Sequence, residues 1–509
     1  MPTSNDEEQI RGKADSVMNS GRVVRSADAA YFIPHHGSAL PIHDLKFRQF
    51  VASICRLAPN AKITKKVITV IEARAFQSHE VLRVVQGSDA VAVVNEERLW
   101  LLNVGGQVFE ISPRGRSKVP NGSHGILFLD PAGFAPVPLT PEQEAWAGAG
   151  GSYLRKLIID RLPPPAGFLS AGEVAALMIA TWFTAFMASI VRGKPIVLLL
   201  GHAGVGKSVT QRLLAKAFYG PTGNTTGGMK GDREMKDLFA GATHKPVIFR
   251  DDVNRMKGDA IDSLCQIATG MTLDISTFHE TLALSSFEVL TFLVLSAFKP
   301  TWLGRVDLMS RMIPVEFTSG QQTTITEQQR TDEVLRARGW IWAETLLALT
   351  EAQKLAKPTS PSPTRFDDWY GEIHRVMQVY DLAVEFESAF SKIKSEWVRI
   401  ICDANVEVSA VYALAKNRRW GRNEWSAAQL ADALATNDGA AAHPRDHHVA
   451  PNIARDHHRL AMLLQKIATD FSGVITIVSR RSHDNCNVYR MWPADQSDPL
   501  AAASAPDEE

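Results

Sequence analysis

Residues 198–218 are LLLGHAGVGKSVTQRLLAKAF, and this stretch decides the fold. An apolar run ends in a glycine-rich turn, a Lys-Ser pair follows, and apolar residues then recur at helical spacing. Gly201, Gly206, Lys207 and Ser208 satisfy the pattern G-x-x-x-x-G-K-[ST] in the strand–turn–helix context that this pattern requires. The stretch therefore predicts a phosphate-binding loop. The alternative, a glycine turn that contains Lys-Ser by chance, leaves both flanking elements unexplained.

The chemistry of such a loop follows from its backbone. Glycines let the chain curl so that successive N–H groups point at phosphate oxygens, beside the positive end of the next helix. We expect Lys207 to reach the β- and γ-phosphates and Ser208 to ligate Mg²⁺, so the predicted cofactors are ATP and Mg²⁺. The residues predicted to hold the nucleotide are Gly201, His202, Ala203, Gly204, Val205, Gly206, Lys207, Ser208 and Val209.

A second apolar run ends in acid. The sequence PVIFRDDVN, residues 246–254, predicts a buried strand with Asp251 and Asp252 at its carboxyl end, where open α/β sheets bind ligands. Asp251 is predicted to hold the Mg²⁺ shell and Asp252 to polarise the attacking water. Arg250 stands where an apolar residue is usual, and one interpretation is that it faces a subunit boundary. The alternative for the two acids is a charged loop after a strand.

A third strand, VLTFLVLSAF, ends near Ser296, and two arginines follow it at Arg305 and Arg311. Ser296 either contacts the γ-phosphate or its water, or simply terminates the strand. An arginine inserted into a neighbouring subunit's site stabilises charge in the transition state, and we predict this role for Arg305 or Arg311. The alternative for either arginine is a surface ion pair.

The composition is that of a soluble globular protein, with 45% hydrophobic and 22% charged residues among 509. Lys plus Arg and Asp plus Glu both total 55, so any surface for nucleic acid must be local. The four cysteines form no CxxC pair, which favours a reducing compartment, the cytoplasm. Residues 174–191 carry no charge, and we interpret them as a helix buried against a parallel sheet rather than as a membrane span.

The C-terminal region supplies a local basic surface. After two amphipathic helical patterns, the sequence VITIVSRRSHDNCNVYRMW alternates apolar and polar residues on both sides of a polar turn, which predicts a β-hairpin. Five histidines crowd residues 443–458, but without nearby cysteines we interpret this loop as phosphate-facing rather than zinc-binding. The alternative is a domain used only for protein contact. The residues predicted to bind DNA are Arg418, Arg419, Arg455, Arg480 and Arg481.

These motifs, in this order, resemble the AAA+-type ATPases, often primase-like or helicase-like, of phages and integrative elements. The resemblance spans residues 45–490 and rests on LLLGHAGVGKS, VIFRDDV, LCQIATG and RVDLMSRMIPVEF, with a final region similar to a winged helix. It implies a homo-oligomer, a hexameric ring. The sequence departs from the family between the ATG and the third strand, where MTLDISTFHETLALSSFE contains neither Lys nor Arg. That absence weakens the expectation of DNA gripping by this hairpin.

The predicted fold class is α/β: a P-loop parallel sheet with helices on both faces, after a small mixed α+β domain and before a helical lid and a winged helix. A hairpin is predicted at NVGGQVFEI, residues 103–111. The predicted organisation is a flexible N-terminus (1–44), a primase-like, non-catalytic α+β domain (45–140), a P-loop core with the start of the lid (150–356), a helical region (365–423), a winged-helix domain (424–493) and a disordered tail (494–509).

Three functions remain open at this point. The first is a ring-forming ATPase that translocates on, unwinds or remodels DNA for a mobile element. The second is an NTPase that remodels protein partners, which the uncharged hairpin and the balanced charge favour. The third is a nucleotide-dependent switch with slow hydrolysis. DNA-stimulated hydrolysis separates the first function from the other two.

Overall fold

The N-terminal segment, predicted to be flexible over residues 1–44, instead contains regular structure. Its helix α1 (Ser4–Met18) is polar, but Ile10, Ala14 and Val17 share one face and are buried. This sparse apolar stripe packs with two further helices and a three-stranded antiparallel sheet. The elements are β1 (Gly21–Arg25), β2 (Ala30–Pro34), β3 (Leu40–Pro41), α2 (Leu45–Cys55) and α3 (Lys62–Phe76).

The structure is a computed structural model. It describes residues 4–493 except 36–37, 79, 95–96, 132, 147, 149–151, 230–231, 271, 277–283, 290, 299, 301, 303–304, 320–324, 360–361, 405, 417–423, 436–456, 471–474 and 482–486. The chain forms two units: residues 1–299 with 313–389 are the first, and residues 300–312 with 390–509 are the second.

A four-stranded antiparallel meander and a parallel strand pair follow the N-terminal elements in the first unit. The predicted hairpin is confirmed: Val104 pairs with Gln107 across Gly105 and Gly106, which have φ angles of 61° and 87°. The meander strands are β5 (Asp89–Val94), β6 (Glu97–Val104), β7 (Gln107–Ser112) and β8 (Gly115–Val119), and the parallel pair is β4 (Arg83–Gln86) with β9 (Ile126–Leu129).

The apolar run 174–191 is a buried helix of the first unit only as far as Thr184, and turns follow it over residues 185–190. After the short helices α4 (Pro141–Glu144) and α5 (Tyr153–Leu157), α6 (Ala171–Thr184) begins at Ser170, which forms a capping box with Glu173. Every residue from Glu173 to Thr184 is buried. No helix in the described ranges has the length and hydropathy of a membrane span.

The five-stranded sheet of the first unit has the strand order β11–β12–β15–β10–β16. Neighbours β11 and β12, β12 and β15, and β15 and β10 pair in parallel. All residues of β10 and β15 are buried, as in strands covered on both faces. The strands are β10 (Ile196–Leu200), β11 (Thr226–Gly227), β12 (Val247–Asp251), β15 (Phe292–Ala297) and β16 (Met312–Glu316).

Three helices alternate with these strands, and an antiparallel pair separates the last helix from β15. The helices are α7 (Lys207–Tyr219), α8 (Asp232–Ala242) and α9 (Gly258–Ala268), and the pair is β13 (Thr272–Ser276) with β14 (Leu284–Glu288). The first unit is therefore a mixed α/β structure, as the sequence predicted. Because β15 lies between β10 and β12, the residues that end these three strands come together at one edge of the sheet.

The longest helix of the first unit is α11 (Glu327–Ala352). At its middle, the buried guanidinium of Arg338 donates to the carbonyls of Ala217 (2.9 Å) and Phe218 (2.5 Å) near the end of α7. Further along, the carboxylate of Glu344 accepts the hydroxyl of Tyr380 at 2.7 Å. Helix α11 is thus anchored to α7, the helix that follows the glycine-rich turn. The helices that follow it are α12 (Asp367–Val379) and α13 (Ala383–Ala404), which continues into the second unit.

The second unit contains α10 (Val306–Met309) and a C-terminal group of elements around their own core. In that group the predicted hairpin strands pair antiparallel, with Ile477 opposite Met491, and a short third strand pairs with the second. The elements are α14 (Val406–Lys416), β17 (Trp425–Ser426), α15 (Ala427–Ala435), α16 (His457–Asp470), β18 (Ile475–Arg481) and β19 (Asn487–Pro493).

Candidate functional site

The loop between β10 and α7 has the backbone that its glycines predict. Gly201, Gly204 and Gly206 have φ angles of 140°, 82° and 101°, in a region that favours glycine. A Cβ atom on Gly201 would lie 2.5 Å from the carbonyl oxygen of Phe317, which follows β16. The loop therefore curls against the neighbouring strand, and glycine is required for this close approach.

Lys207 directs its ammonium back into the loop. Its Nζ donates to the carbonyls of Gly201 at 2.6 Å and His202 at 2.9 Å. Burial lowers the pKa of the Lys207 ammonium, and the nearby carboxylates of Asp251 and Asp252 act in the opposite direction. The loop thus holds a cation beside two acids from a different strand.

The carboxylate of Asp251 lies at the centre of a hydrogen-bond cluster. It accepts the hydroxyls of Ser296 and Ser208, and it accepts the backbone N–H of Asp252 at 3.0 Å. Burial favours the neutral acid, but these hydrogen bonds and the charge of Arg212 hold the pKa of Asp251 below its ordinary value. Asp251 is therefore ionised at neutral pH, and Ser296, fully buried on the strand between β10 and β12, holds it.

Asp252 has an unusual backbone. Its φ of 55° lies in the left-handed region, which costs a non-glycine residue about 1–3 kcal/mol. The side-chain amide of Asn254 donates to its carboxylate, and Asn254 in turn accepts the backbone N–H of Phe298 at 2.8 Å. The exposed carboxylate of Asp252 is consequently oriented by Asn254, a residue that the sequence analysis did not single out.

These groups surround one cavity of about 440 Å³. At its mouth the ring of Phe298, which is 46% exposed, packs against the ring of His202 with the centroids 4.9 Å apart. The hydroxyl of Ser208 and the carboxylate of Asp251 are oxygen donors of the kind that Mg²⁺ prefers, so the residues present fit this ion. The lining residues are Ala203, Gly204, Gly206, Lys207, Ser208, Val209, Arg212, Asp251, Asp252, Ser296, Ala297 and Phe298.

Arg212 also lines this cavity, and the sequence analysis missed it. It lies four residues after Ser208 on α7, so both side chains are on one helix face, and that spacing was available in the sequence. Its Nε and Nη2 donate to the two carboxylate oxygens of Glu327, at 2.6 Å and 3.0 Å. Glu327 is the first residue of α11. The ion pair therefore connects α7 with α11.

A second cavity, of about 530 Å³, shares Gly204, Gly206 and Val209 with the first. Its remaining walls come from the segment before α6, from α7 and from the start of α11. No local pattern in the sequence predicts this cavity. The other lining residues are Ile158, Arg161, Leu162, Pro163, Pro164, Val205, Thr210, Leu213, Ser319, Ile325, Glu327 and Arg330.

Arg250 is buried within the first unit. Its guanidinium donates to the carbonyls of Gly227 at 3.5 Å and Glu234 at 3.4 Å, and burial lowers its pKa. The contacts join β12 to β11 and α8. Arg250 thus has partners inside its own subunit, in contrast to the interpretation that it faces a boundary between subunits.

Arg305 and Arg311 lie in the second unit, where both contact Asp307. The Nη2 of Arg305 donates to the Asp307 carboxylate at 2.8 Å, and Arg311 donates to the backbone carbonyl of the same residue. Burial favours the neutral form of Asp307, but the hydrogen bond and charge of Arg305 keep its pKa below the ordinary value. The side chain of Arg305 is 45% exposed.

The residues predicted to bind DNA are only partly described. Arg418, Arg419, Arg455 and the histidines 443–448 lie outside the described residues. Arg480 and Arg481 are on β18, opposite Val488 and Asn487, and Arg481 is exposed. Within the described part of the chain, no group of three or more His, Cys, Asp or Glu side chains is placed to hold a metal ion.

Comparison with known proteins gives structural similarity only. No family model matches the chain, and no curated protein matches it. A structure described as the A form apo structure of the NrS-1 C terminal region has 10% identity and a TM-score of 0.40, covering 94% of this chain and 97% of its own. The apo structure of NrS-1 C terminal region (305-718) has 11% identity and a TM-score of 0.39, covering 96% and 99%.

Proposed function

We propose that this chain is a Mg²⁺-dependent ATPase of the P-loop class. The observation that carries the proposal is the convergence of Lys207, Ser208, Asp251 and Asp252 on one cavity at the carboxyl edge of the sheet. Lys207 and Ser208 follow β10, whereas Asp251 and Asp252 lie at the end of β12 and just after it. Strands β10 and β12 lie on either side of β15. A phosphate loop, a hydroxyl and two acids in one cavity are the groups that phosphoryl transfer to water requires.

Each residue then has a defined task. The N–H groups of the loop and the ammonium of Lys207 bind the β- and γ-phosphates. On binding, Lys207 gives up its hydrogen bonds to the loop carbonyls and donates to phosphate oxygens instead. Ser208 and the ionised Asp251 hold Mg²⁺, which when bound neutralises phosphate charge. Asp252, exposed directly after β12 and oriented by Asn254, positions and polarises the attacking water. We place the nucleoside in the second cavity, because it adjoins the phosphate cavity across the loop.

We further propose that ATP hydrolysis drives movement along DNA or its remodelling in a ring of identical subunits. Two features support this: the basic, exposed end of β18, and a C-terminal order of helix, helix and hairpin that suits a winged helix. One observation favours protein partners instead: the stretch around β13 and β14 contains neither Lys nor Arg.

The first test is ATP hydrolysis by the purified chain, with and without single- and double-stranded DNA, beside a Lys207→Ala control. We expect turnover that disappears in the control and rises several-fold with DNA. Turnover that depends on Lys207 but ignores DNA would contradict the DNA function and favour the protein-remodelling alternative. Turnover unaffected by Lys207→Ala would refute the ATPase proposal itself.

The trans role of Arg305 or Arg311 has its own test. Arg305→Ala and Lys207→Ala subunits, each inactive alone, are mixed, and the same is done with Arg311→Ala. If the arginine acts on a neighbour, a Lys207→Ala subunit supplies it to the intact site of the other variant, and activity returns. Two inactive variants that stay inactive as a mixture exclude a trans-acting arginine at that position.

A further inference from the structure

The phosphate cavity contains one group that the proposed mechanism does not use, the guanidinium of Arg212. Among the described residues that line this cavity, Arg212 is the only arginine. In the described part of the chain, Glu327 engages its Nε and Nη2 and no residue accepts a hydrogen bond from its Nη1. The side chain is 33% exposed. The Nε and Nη2 side of the guanidinium is therefore held by Glu327, while the N–H donors of Nη1 remain available to a ligand.

The helix geometry directs this group toward the phosphates. Side chains on a helix tilt toward its N-terminus, so Arg212, one turn after Ser208, extends back toward the loop. Its charge acts on the Asp251 carboxylate, which also places it near the predicted Mg²⁺ ligands. A planar guanidinium with free N–H donors suits a phosphate oxygen.

We propose that Arg212 binds the terminal phosphate of the nucleotide from within the same subunit, and that Glu327 positions it. This inference rests on the proposed ATPase function and adds a residue to it. Glu327 is also part of the second cavity, so the ion pair joins the phosphate and nucleoside ends of the site. Occupancy of the terminal phosphate position is thereby communicated to the first turn of α11.

The test compares the affinities of fluorescent ATP and ADP analogues in the presence of Mg²⁺. Arg212→Ala is expected to weaken ATP binding by about tenfold to a hundredfold, the loss of a hydrogen bond to a charged group, and to change ADP binding less than about twofold. Glu327→Gln, which keeps the size of the side chain, is expected to weaken ATP binding by about threefold, as for a half-exposed ion pair. Arg336→Ala is the matched control, because Arg336 is exposed on α11 and lines neither cavity.

The outcomes separate the two proposals. Equal loss of ATP and ADP affinity in Arg212→Ala, or no loss of either, overturns the role of Arg212 while the ATPase proposal stands. A wild-type chain that binds neither nucleotide overturns both. If Arg212→Ala fails to fold, Arg212→Lys replaces it, because lysine keeps the charge but lacks the planar guanidinium. We expect Arg212→Lys to weaken ATP binding selectively, by a smaller factor than Arg212→Ala.

Discussion

Asn254 links the two strand ends of the site: its amide donates to the carboxylate of Asp252, and its carbonyl accepts the backbone N–H of Phe298 at 2.8 Å. Asp252 follows β12 in a left-handed conformation, and Phe298 follows β15 and packs on His202 of the loop between β10 and α7. A single side chain thus relates the proposed water-polarising acid to the mouth of the cavity. The strain at Asp252 is held in place by these contacts.

Replacement of Asn254 tests this arrangement. We expect Asn254→Ala to lower kcat for ATP by about tenfold and to leave KM within about twofold, because the carboxylate loses its orientation while phosphate binding is unchanged. Steady-state kinetics beside an Asn224→Ala control, an exposed asparagine of the same unit, gives the comparison. A rise in KM without a fall in kcat would place Asn254 in nucleotide binding instead.

Ser296 is expected to set the acid side of the pH profile. Its hydroxyl stabilises the charged form of Asp251, so Ser296→Ala raises the pKa of Asp251 toward its ordinary value. Because Asp251 must be ionised, the acid limb of the kcat/KM profile should move to higher pH. Ser263→Ala, which removes an exposed hydroxyl on α9, is the control. An unmoved acid limb would show that the hydroxyl of Ser296 does not control the ionisation of Asp251.

Arg338 is expected to contribute to stability rather than chemistry. Burial lowers the pKa of its guanidinium to about 10, so it remains charged at neutral pH, and three carbonyls accept its hydrogen bonds: Ala217, Phe218 and Ala135. Arg338→Met leaves these acceptors unpaired and should lower the free energy of unfolding by about 1–3 kcal/mol. Urea unfolding measures this free energy. The control Arg336→Met, on the exposed side of the same helix, should change the free energy of unfolding by less than about 0.5 kcal/mol. Equal changes in both variants would contradict this assignment.

Asp89 predicts a pH-dependent stability. Burial raises its pKa from 3.8 to about 6, although Ser189 and Trp100 donate hydrogen bonds to it and Lys194 lies near. Between these two values the folded chain binds a proton that the unfolded chain does not, so this group's contribution to stability falls as pH rises. The shift of about two units corresponds to about 3 kcal/mol.

Asp89→Asn removes this titration. The free energy of unfolding of the wild type, relative to the variant, should therefore be higher at pH 4 than at pH 7, and chemical denaturation at several pH values measures it. Because the wild type and the variant share all other titrating groups, the contributions of those groups cancel in the difference between the two free energies of unfolding. A difference that is constant from pH 4 to pH 7 would mean that Asp89 keeps an ordinary pKa.

The residues of the central site could be predicted from the sequence. They are either adjacent to one another in the chain or lie at the ends of apolar strands. The glycine turn, Lys207 and Ser208 form one motif, and Asp251 and Ser296 are each the polar end of a buried run. Since parallel strands bring their carboxyl ends to one edge, local patterns suffice to assemble these residues.

Other parts depend on contacts that no local pattern carries. Glu327 pairs with Arg212 across 115 residues, and the second cavity combines the segment before α6 with the start of α11. Helix α1 was missed because Ile10, Ala14 and Val17 are a narrow stripe in a polar segment. Their burial depends on the apolar faces of α2 and α3, which follow later in the chain.

The length of α11 connects the ion pair at Glu327 with the distant contacts of Glu344. It begins at Glu327, which lines the second cavity and pairs with Arg212, and Glu344, 17 residues later, accepts the backbone N–H of Leu154 and the hydroxyl of Tyr380. These two points are about 25 Å apart along a straight helix. A tilt of about 5° at the nucleotide end moves the far end by about 2 Å, close to the shift of a helix in an allosteric transition. The direction of α11 thus relates the ion pair of Glu327 with Arg212 at one end to the contacts of Glu344 at the other.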